Sequence, residues 1–255
     1  MENALCAGNQ MIGISDKKQT NTAASIPVVF NMANFLVSSV HDMKNSVSML
    51  ICGLDKVLTS AEAAELSTHS ELVQMNHEAK RINNRLIQLL TLYKLGQKIY
   101  PFDPQSVCLD DFLRTIVAQY AQLLKFHGIH LEVRVDPELY WYFDEDLISG
   151  VIGNALNNAT RHTHDHILIS AEEHDGGLML RVEDDGDGYP PELLEGNGNV
   201  MQSVDFHGGN TGLGLYFSAM VARMHRNQGA QGAQGALCLE NGGSLQGACF
   251  VLHLP

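Results

Sequence analysis

The sequence lacks any long uninterrupted apolar run. No stretch of roughly 18 uncharged apolar residues occurs in the chain, so no membrane-spanning helix is predicted. The most apolar early segment, residues 26–40, is interrupted by Pro27 and by several polar residues. The N-terminus has no basic segment followed by an apolar core, so a secretion signal is not predicted either.

Basic residues are scarce. Lys and Arg total 16 against 29 Asp and Glu, the formal net charge is −13, and no basic cluster is present. A chain of this kind is a poor candidate for binding nucleic acid or an anionic membrane surface. It can still bind a nucleotide, provided that metal ions, helix N-termini or a few placed cations offset the phosphate charge.

Cysteine is also sparse, and the composition is otherwise that of a globular protein. The five cysteines are odd in number and form no CxxC pair, so we expect reduced thiols and a cytoplasmic location. Hydrophobic residues make up 45% of the 255 positions and charged residues 18%, which excludes wholesale disorder and fits one or two domains.

Two segments near the N-terminus carry apolar residues at heptad spacing. The first, within residues 27–58, alternates steps of three and four through Ala33, Leu36, Val40, Met43, Val47, Leu50, Leu54 and Val57. The second follows a capping box at Thr68 and Glu71 and runs through Leu72, Met75, Ala79, Ile82, Leu86, Leu89 and Tyr93. Two such helices predict a helical hairpin. Because one hairpin buries little surface, we expect two copies to pair as a four-helix bundle. The alternative is a hairpin that packs on the rest of its own chain.

After Pro101 and Pro104 the pattern changes to mixed helices and strands. Helices are predicted over residues 109–127, 144–162 and 211–224, and strands over residues 130–135, 167–171, 178–182 and 249–254. The chain is therefore expected to be α+β: a helical hairpin forming a dimeric four-helix bundle, followed by an α/β sandwich. The expected boundaries are a flexible polar tail over residues 1–25, the hairpin over 26–98 and the sandwich over 99–255. Residues 189–211 are expected to form a lid, and residues 228–236 a flexible loop.

A histidine on the first predicted helix is the first candidate for chemistry. His41 lies one position from the seam residue Val40, so it should face solvent, and its imidazole is largely neutral and nucleophilic near pH 7. Asp42 can accept a ring proton, and Asn45 is one helical turn further on the same face. An exposed His–Asp pair alone is usually just solvated, so this motif needs support from the rest of the chain.

Three later motifs suit a bound nucleotide. Asn154 and Asn158 share one face of the 144–162 helix with Arg161 nearby, and amide oxygens with a guanidinium suit a Mg²⁺-bound triphosphate. The alternative is an ordinary polar helix face. Asp184 follows a predicted strand and can accept a hydrogen bond from an exocyclic amine such as that of adenine. Within Asp-Asp-Gly-Asp-Gly, the glycines 186 and 188 allow close approach of a flat ligand, although the same letters fit an acidic or hairpin turn. The glycine-rich segment 208–215 precedes a helix, where free N–H groups favour phosphate.

The order of these motifs closely resembles that of the sensor histidine kinases of two-component systems. Residues 36–95 look like the dimerisation and histidine-phosphotransfer bundle of that family, and residues 103–255 look like its Bergerat-type ATP-binding domain. The resemblance implies that His41 is the phosphoacceptor, Asp42 the general base and Asn45 the residue that positions water for phosphatase activity. It implies a Mg²⁺ ligand at Asn158 and nucleotide contacts at Asn154, Arg161, Asp184, Gly186, Gly188, Thr211, Gly212, Leu213 and Gly214. The sequence departs from the family at Ser46, where many members have proline, and in a lid without a clear phenylalanine motif.

The function implied by the resemblance is an ATP-dependent protein-histidine kinase. It would use ATP and Mg²⁺, phosphorylate its own His41 and pass the phosphoryl group to an aspartate of a response regulator receiver domain. Response-regulator phosphatase activity, a homodimer and a separate sensor protein as partner are also implied, with no nucleic acid and no membrane span. Two alternatives stay open: a histidine phosphotransfer or scaffolding protein with a degenerate nucleotide domain, and another Bergerat-type protein kinase.

Overall fold

The computed structural model describes residues 32–59, 69–194, 212–226 and 233–255. The predicted tail, residues 195–211 of the predicted lid and most of the 228–236 loop lie outside these residues. Within the described residues, no helix is both long and apolar enough to cross a membrane.

The N-terminal part is an antiparallel helical hairpin of α1 (Met32–Leu58) and α2 (His69–Gly96). Its register is set by polar contacts: the Ser48 hydroxyl donates to Asn83 at 3.2 Å, and Asp55 accepts from Asn76 at 2.8 Å and pairs with Lys80 at 3.0 Å. The heptad seams divide into two sets in this single chain. Among the seam residues whose side chains the structure describes, from Val40 on, one set is half-buried or buried between the helices. The other set is between 44% and 56% exposed: Met43, Leu50, Val57, Met75, Ile82 and Leu89.

The C-terminal part is a helical layer on a five-stranded sheet. Its elements are β1 (Gln105–Cys108), α3 (Leu109–Ala118), α4 (Ala121–His127), β2 (His130–Val135), β3 (Tyr140–Phe143), α5 (Glu145–His162), β4 (His166–His174), β5 (Gly177–Asp184), α6 (Pro191–Leu194), α7 (Leu213–Met224), β6 (Ala236–Gly242) and β7 (Gly247–Leu254). The sheet order is β2-β4-β5-β7-β6, in which β2 and β4 run parallel and the other neighbours antiparallel. Strands β1 and β3 form a separate antiparallel pair.

The core of this part lies between the helices and the inner face of the sheet. Helix α5 is its central element, because its apolar residues recur at helical spacing and are fully buried: Leu147, Ile148, Val151, Ile152, Ala155, Leu156 and Ala159. Asp144 caps the helix by accepting from the Leu147 N–H at 3.1 Å. Its other oxygen accepts from the Asp103 N–H at 3.1 Å, which ties the segment after the hairpin to the start of α5.

The expected combination of a helical hairpin with an α/β sandwich is confirmed. One detail is wrong: residues 109–127 form two helices, because the chain bends at Gln119 and Tyr120. Tyr120 is buried, and its hydroxyl donates to the Gly153 carbonyl of α5 at 3.2 Å. A continuous apolar pattern cannot predict this hydrogen bond between two helices. Strands β1, β3 and β6 were not predicted from the sequence.

Candidate functional site

The histidine of the predicted phosphoacceptor motif is exposed on α1. The His41 side chain is 58% exposed, and its Nδ1 lies 3.2 Å from the Asn45 amide nitrogen and 3.9 Å from a carboxylate oxygen of Asp42. Both neighbours therefore contact the same ring nitrogen, and Nε2 has no hydrogen-bond partner among the residues that the structure describes. Helix α1 continues past this site, where the Ser46 hydroxyl donates to the Asp42 carbonyl.

His41 lies at the level at which the C-terminal part contacts the hairpin. Ser48 is opposite Asn83, so in an antiparallel pair His41, seven residues earlier, lies level with Leu90, seven residues later. Two positions from Leu90, the side chain of Gln88 leaves α2 and donates from Nε2 to Oδ1 of Asn154 at 2.6 Å. The histidine and the first amide of the predicted nucleotide motif are thus brought to the same end of the hairpin.

Asn154 is fully engaged in contacts between helices. Besides accepting from Gln88, its Nδ2 donates to the Gly214 carbonyl at 3.1 Å and to the Ser218 hydroxyl at 3.3 Å. A Cβ on Gly214 would lie 3.2 Å from the Asn154 side chain, so the glycine permits α7 to approach α5 closely. Asn154 therefore links α2, α5 and α7 in this structure.

Asn158 lies one turn further along α5 and, unlike Asn154, is not held by hydrogen bonds to the residues that the structure describes. Its side chain is half-buried. An amide oxygen that is positioned on a rigid helix and has no partner fits the hard oxygen ligand that Mg²⁺ prefers. Arg161, near the end of the same helix, is exposed.

Asp184 ends β5 and is 5% exposed. Its Oδ1 accepts from the backbone N–H groups of Gly186 at 2.9 Å and Ala248 at 3.2 Å, while Oδ2 has no partner among the described residues. Burial raises the pKa of this carboxyl, and the two backbone donors act in the opposite direction. A fixed, buried carboxylate with one free oxygen is suited to accept from an amine of a flat base.

The turn after Asp184 depends on its two glycines. A Cβ on Gly186 would lie 2.1 Å from the His162 carbonyl, so only glycine fits where the turn passes the end of α5. Gly188 has φ +81°, in the left-handed region that favours glycine. The turn is then fixed by Asn241, whose Oδ1 accepts from the Tyr189 N–H at 2.7 Å and whose Nδ2 donates to the Tyr189 carbonyl at 2.9 Å.

Asp185 holds the neighbouring loop. Its Oδ1 accepts from the Thr163 hydroxyl at 2.6 Å and from the His164 N–H at 2.8 Å. Partial burial alone would raise the pKa of Asp185, but the hydrogen bonds hold it well below its ordinary value. This charged side chain therefore joins the end of β5 to the end of α5 beside the nucleotide motifs.

The glycine-rich segment is described only in part. Thr211 lies outside the described residues. Gly212 is the N-cap of α7 with φ 51°, and Leu213 and Gly214 form the first turn of that helix. The structure therefore puts the end of this segment at a helix N-terminus, next to Asn154.

Three residues whose contacts build the site were not predicted from the sequence. Gln88, Ser218 and Asn241 form the contacts that fix Asn154 and the glycine turn. Gln88 and Asn154 are 66 positions apart, and no local spacing links them. The only local signal was an amide on a helix otherwise rich in apolar seam residues, and Gln88 is in fact buried.

Comparison with known proteins agrees with this geometry. Residues 143–255 match the family described as histidine kinase-, DNA gyrase B-, and HSP90-like ATPase. The sensor histidine kinase RppB of Synechocystis sp. is 23% identical over 232 residues, which cover 87% of this chain and 48% of RppB. The sensor protein SrrB of Staphylococcus aureus strain N315 is 22% identical over 235 residues, which cover 87% of this chain and 38% of SrrB. The chain thus spans about half or less of the length of these curated relatives.

A solved structure supports the fold over a similar range. Full-length ShkA in complex with AMPPNP superposes with a TM-score of 0.59 at 20% identity, covering 88% of this chain and 46% of that protein. The resemblance to sensor histidine kinases that the motif order predicts is confirmed. ATP binding follows from the family match. The roles of the individual site residues stay predictions.

Proposed function

We propose that this chain is an ATP-dependent protein-histidine kinase, because its residues 143–255 match the histidine kinase-, DNA gyrase B-, and HSP90-like ATPase family. It phosphorylates its own His41 and passes the phosphoryl group to an aspartate of a response regulator receiver domain. We also propose the division into a tail (1–25), a histidine-bearing hairpin (26–98) and an ATP-binding domain (99–255), with response-regulator phosphatase activity as a second reaction in which Asn45 positions the attacking water.

One observation carries the proposal. An exposed imidazole and Asn154, the first amide of the Asn154 and Asn158 motif, lie at one level of the hairpin, since His41 is level with Leu90 and Gln88, two positions from Leu90, contacts Asn154. A scaffold with a degenerate nucleotide domain would not need a free Asp184 oxygen, an unpartnered Asn158 amide and a close glycine turn together. A Bergerat-type serine kinase would not need the exposed histidine on a heptad hairpin.

The chemistry at His41 is a displacement on the γ-phosphorus of ATP. The lone pair of Nε2 forms the P–N bond while the bond from the γ-phosphorus to the bridging oxygen breaks, and ADP leaves. In the reactive tautomer the ring proton is on Nδ1, and the Asn45 amide, whose nitrogen lies 3.2 Å from Nδ1 in this structure, has turned away. That proton passes to Asp42, whose carboxylate lies 3.9 Å from Nδ1 and needs only a small rotation to reach it. Proton acceptance of this kind contributes about 10²–10⁴-fold, and positioning and electrostatics supply the rest.

The nucleotide is held by the residues between α5 and the end of β5. The free oxygen of Asp184 accepts from the adenine amine, and the turn at Gly186 and Gly188 lets the base approach the backbone. Asn158 would hold Mg²⁺, whose charge offsets that of the phosphates. Arg161 and the α7 N-terminus from Gly212 to Gly214, together with Thr211, complete the phosphate side.

The partner requirements follow from the hairpin. Its exposed heptad residues need cover, and a second copy of the same hairpin supplies a matching apolar stripe, so we propose a homodimeric four-helix bundle. The receiver domain of the response regulator then reaches His41 from solvent. A separate sensor protein is the proposed source of input.

The deciding experiment is phosphorylation with γ-labelled ATP. His41→Gln should abolish labelling, because glutamine offers no ring nitrogen, and should leave nucleotide affinity unchanged. The control is His77→Gln on α2, which keeps the exposed imidazole of α1 and should still be labelled. The phosphate should be acid-labile and base-stable, as expected for phosphohistidine.

The alternatives predict other results. Labelling that persists in His41→Gln, or phosphate that is stable in acid, would exclude His41 and favour a serine kinase. Failure of the wild-type chain to bind ATP would instead favour the scaffold. Asn158→Asp should weaken binding of Mg–ATP, and unchanged affinity would exclude its metal role.

A further inference from the structure

A cavity of about 450 Å³ lies between the hairpin and the C-terminal part. Helix α2 forms one wall with His77, Glu78 and Arg81, and the opposite walls come from His127 at the end of α4, Arg161 of α5 and the His164 loop. Of the residues with a candidate role toward ATP, only Arg161 lines this cavity. It is therefore a neighbouring site and not the adenine pocket at Asp184.

The lining is positive in a chain that is strongly acidic. Among the described residues, two guanidinium groups and three imidazoles line the cavity, and Glu78 is the one carboxylate, paired with Arg81 through Nη2. Burial lowers the pKa of His77, Glu78 opposes that shift, and the charges of Arg81 and His127 add to it. The two guanidinium groups thus outnumber the single carboxylate of Glu78 among these lining residues.

Arg81 still has donor capacity after its pairing with Glu78. Its Nε is buried and lacks a hydrogen-bond partner in the part of the chain that the structure describes. A buried donor without a partner costs free energy, and a shift of the Arg81 side chain that brings Nε to a bound acceptor recovers that cost. Neutral polar groups of Asn157 and Thr160 line the opposite wall, on α5, and offer further hydrogen bonds to a ligand.

The chemistry of the lining selects the class of ligand. A phosphate monoester carries about −1.5 to −2 charges and three acceptor oxygens, which match several cations better than a single carboxylate does. Guanidinium groups bind phosphate through paired N–H donors. Leu123 and Ile129 add a small apolar wall, and the volume is within the range of small-molecule sites, so an organic group fits beside the anion.

We propose that this cavity binds a small organic phosphate, held between Arg81 of α2 and Arg161 of α5. The site shares Arg161 with the proposed ATP site but is otherwise lined by different residues, and it does not depend on the proposed kinase reaction. Because its two walls belong to different parts of the chain, the bound anion joins the hairpin to the ATP-binding domain.

The test uses the full chain without ATP or Mg²⁺, titrated calorimetrically with inorganic pyrophosphate. Binding of one equivalent should weaken about 10-fold or more in Arg81→Gln, because a charge-assisted pair is lost. The matched control is Arg85→Gln, one helical turn along α2 and outside the lining, which should bind as the wild type does. His127→Gln, on the opposite wall, should also weaken binding. This variant replaces Arg81→Gln in the test if circular dichroism shows that Arg81→Gln is unfolded.

The outcomes separate this cavity from the nucleotide site. Pyrophosphate that binds only at the ATP phosphates would be unaffected by Arg81→Gln and His127→Gln, and that result overturns the proposal. No binding to the wild type overturns it as well. Weakening in both cavity variants but not in Arg85→Gln supports it, and so does an upward shift of the His77 titration when pyrophosphate is added, followed by NMR.

Discussion

The two parts of this molecule bury their apolar residues in different ways. In the C-terminal part, the large side chains of α5 and of the inner sheet face are almost fully buried within one chain. In the hairpin, every second described seam residue stays about half exposed, and Met49, outside the seam, is 73% exposed. The C-terminal part therefore has a core of its own, whereas the hairpin depends on another surface for its stability. Substitutions should separate the two cases.

The largest effect is expected from the C-terminal core. Phe250 of β7 is 1% exposed and packs in the main core cluster. Phe250→Ala should lower the free energy of unfolding by about 3–5 kcal/mol, through lost burial and the cavity left behind. Urea unfolding followed by fluorescence measures this part alone, because the single tryptophan, Trp141, lies in β3.

The control for that measurement lies in the hairpin. Ile82 is 47% exposed, and Ile82→Ala should leave the tryptophan transition within about 0.5 kcal/mol of the wild type. Equal losses in the two variants would contradict the idea that the C-terminal core is independent of the hairpin surface.

The next effect tests the hairpin surface. Ile82→Glu puts a charge in the middle of the exposed heptad stripe, and in a symmetric dimer two such charges are buried at one interface. The dimer dissociation constant should rise about 100-fold or more, as measured by sedimentation equilibrium. Asn84→Glu adds the same charge to an exposed position two residues away on α2 and should leave the dimer intact. A dimer that is equally weakened by both, or by neither, would place the interface elsewhere.

A smaller effect is expected where the two parts meet. Gln88→Leu removes the donor to Asn154 and leaves Oδ1 without its partner, which should make docking of the C-terminal part on α2 less favourable by about 1–3 kcal/mol. Hydrogen exchange should then accelerate at the start of α7, next to the Asn154 contacts. Asn84→Leu, at an exposed amide on the same helix, should not change exchange there. Unaltered exchange in Gln88→Leu would mean that apolar contacts such as that of Leu92 hold the parts together alone.

The comparison also explains what the sequence could predict. Local periodicity was sufficient for α1, α2, β2 and α5, because each has a continuous apolar face that packs as one unit. It failed at Gln119 and Tyr120, where the helix bends so that the Tyr120 hydroxyl reaches α5. The short strands β1 and β3 pair with each other over four residues each and carry too little pattern to be recognised alone.

The candidate site also combines features that local sequence can predict with contacts that it cannot. The strand end at Asp184 and the glycine-dependent turn at Gly186 and Gly188 were predictable because both are local features, whereas the nucleotide contacts of these residues stay predictions. The contact of Asn154 with Gln88 was not, because it joins residues that are remote in sequence and depends on how the two parts dock. Motif order can indicate a nucleotide site, but it cannot indicate which of its amides is already engaged.

The smallest effect is a pH dependence confined to the C-terminal part. His225 follows α7 and is buried, with Nδ1 within 2.9 Å of the Val221 carbonyl and Nε2 accepting from the Asp144 N–H at 3.1 Å. Burial lowers its pKa below the ordinary 6.5, and the contacts with Val221 and Asp144 oppose that shift. Below pH 6.5 the unfolded chain therefore takes up a proton that the folded chain does not.

Because the unfolded state binds more protons in that window, stability should fall as the pH decreases from 6.5 toward the lowered pKa of folded His225. His225→Asn keeps a neutral donor and acceptor, so its tryptophan-monitored stability should decrease less between pH 7 and pH 5.5 than that of the wild type, even if its stability at pH 7 is lower. His174→Gln, at an exposed position on β4, should retain the wild-type slope. If His225→Asn and the wild type show the same slope, the acid sensitivity of this part comes from another buried group, and His253, whose pKa is also lowered by burial, is the next to replace.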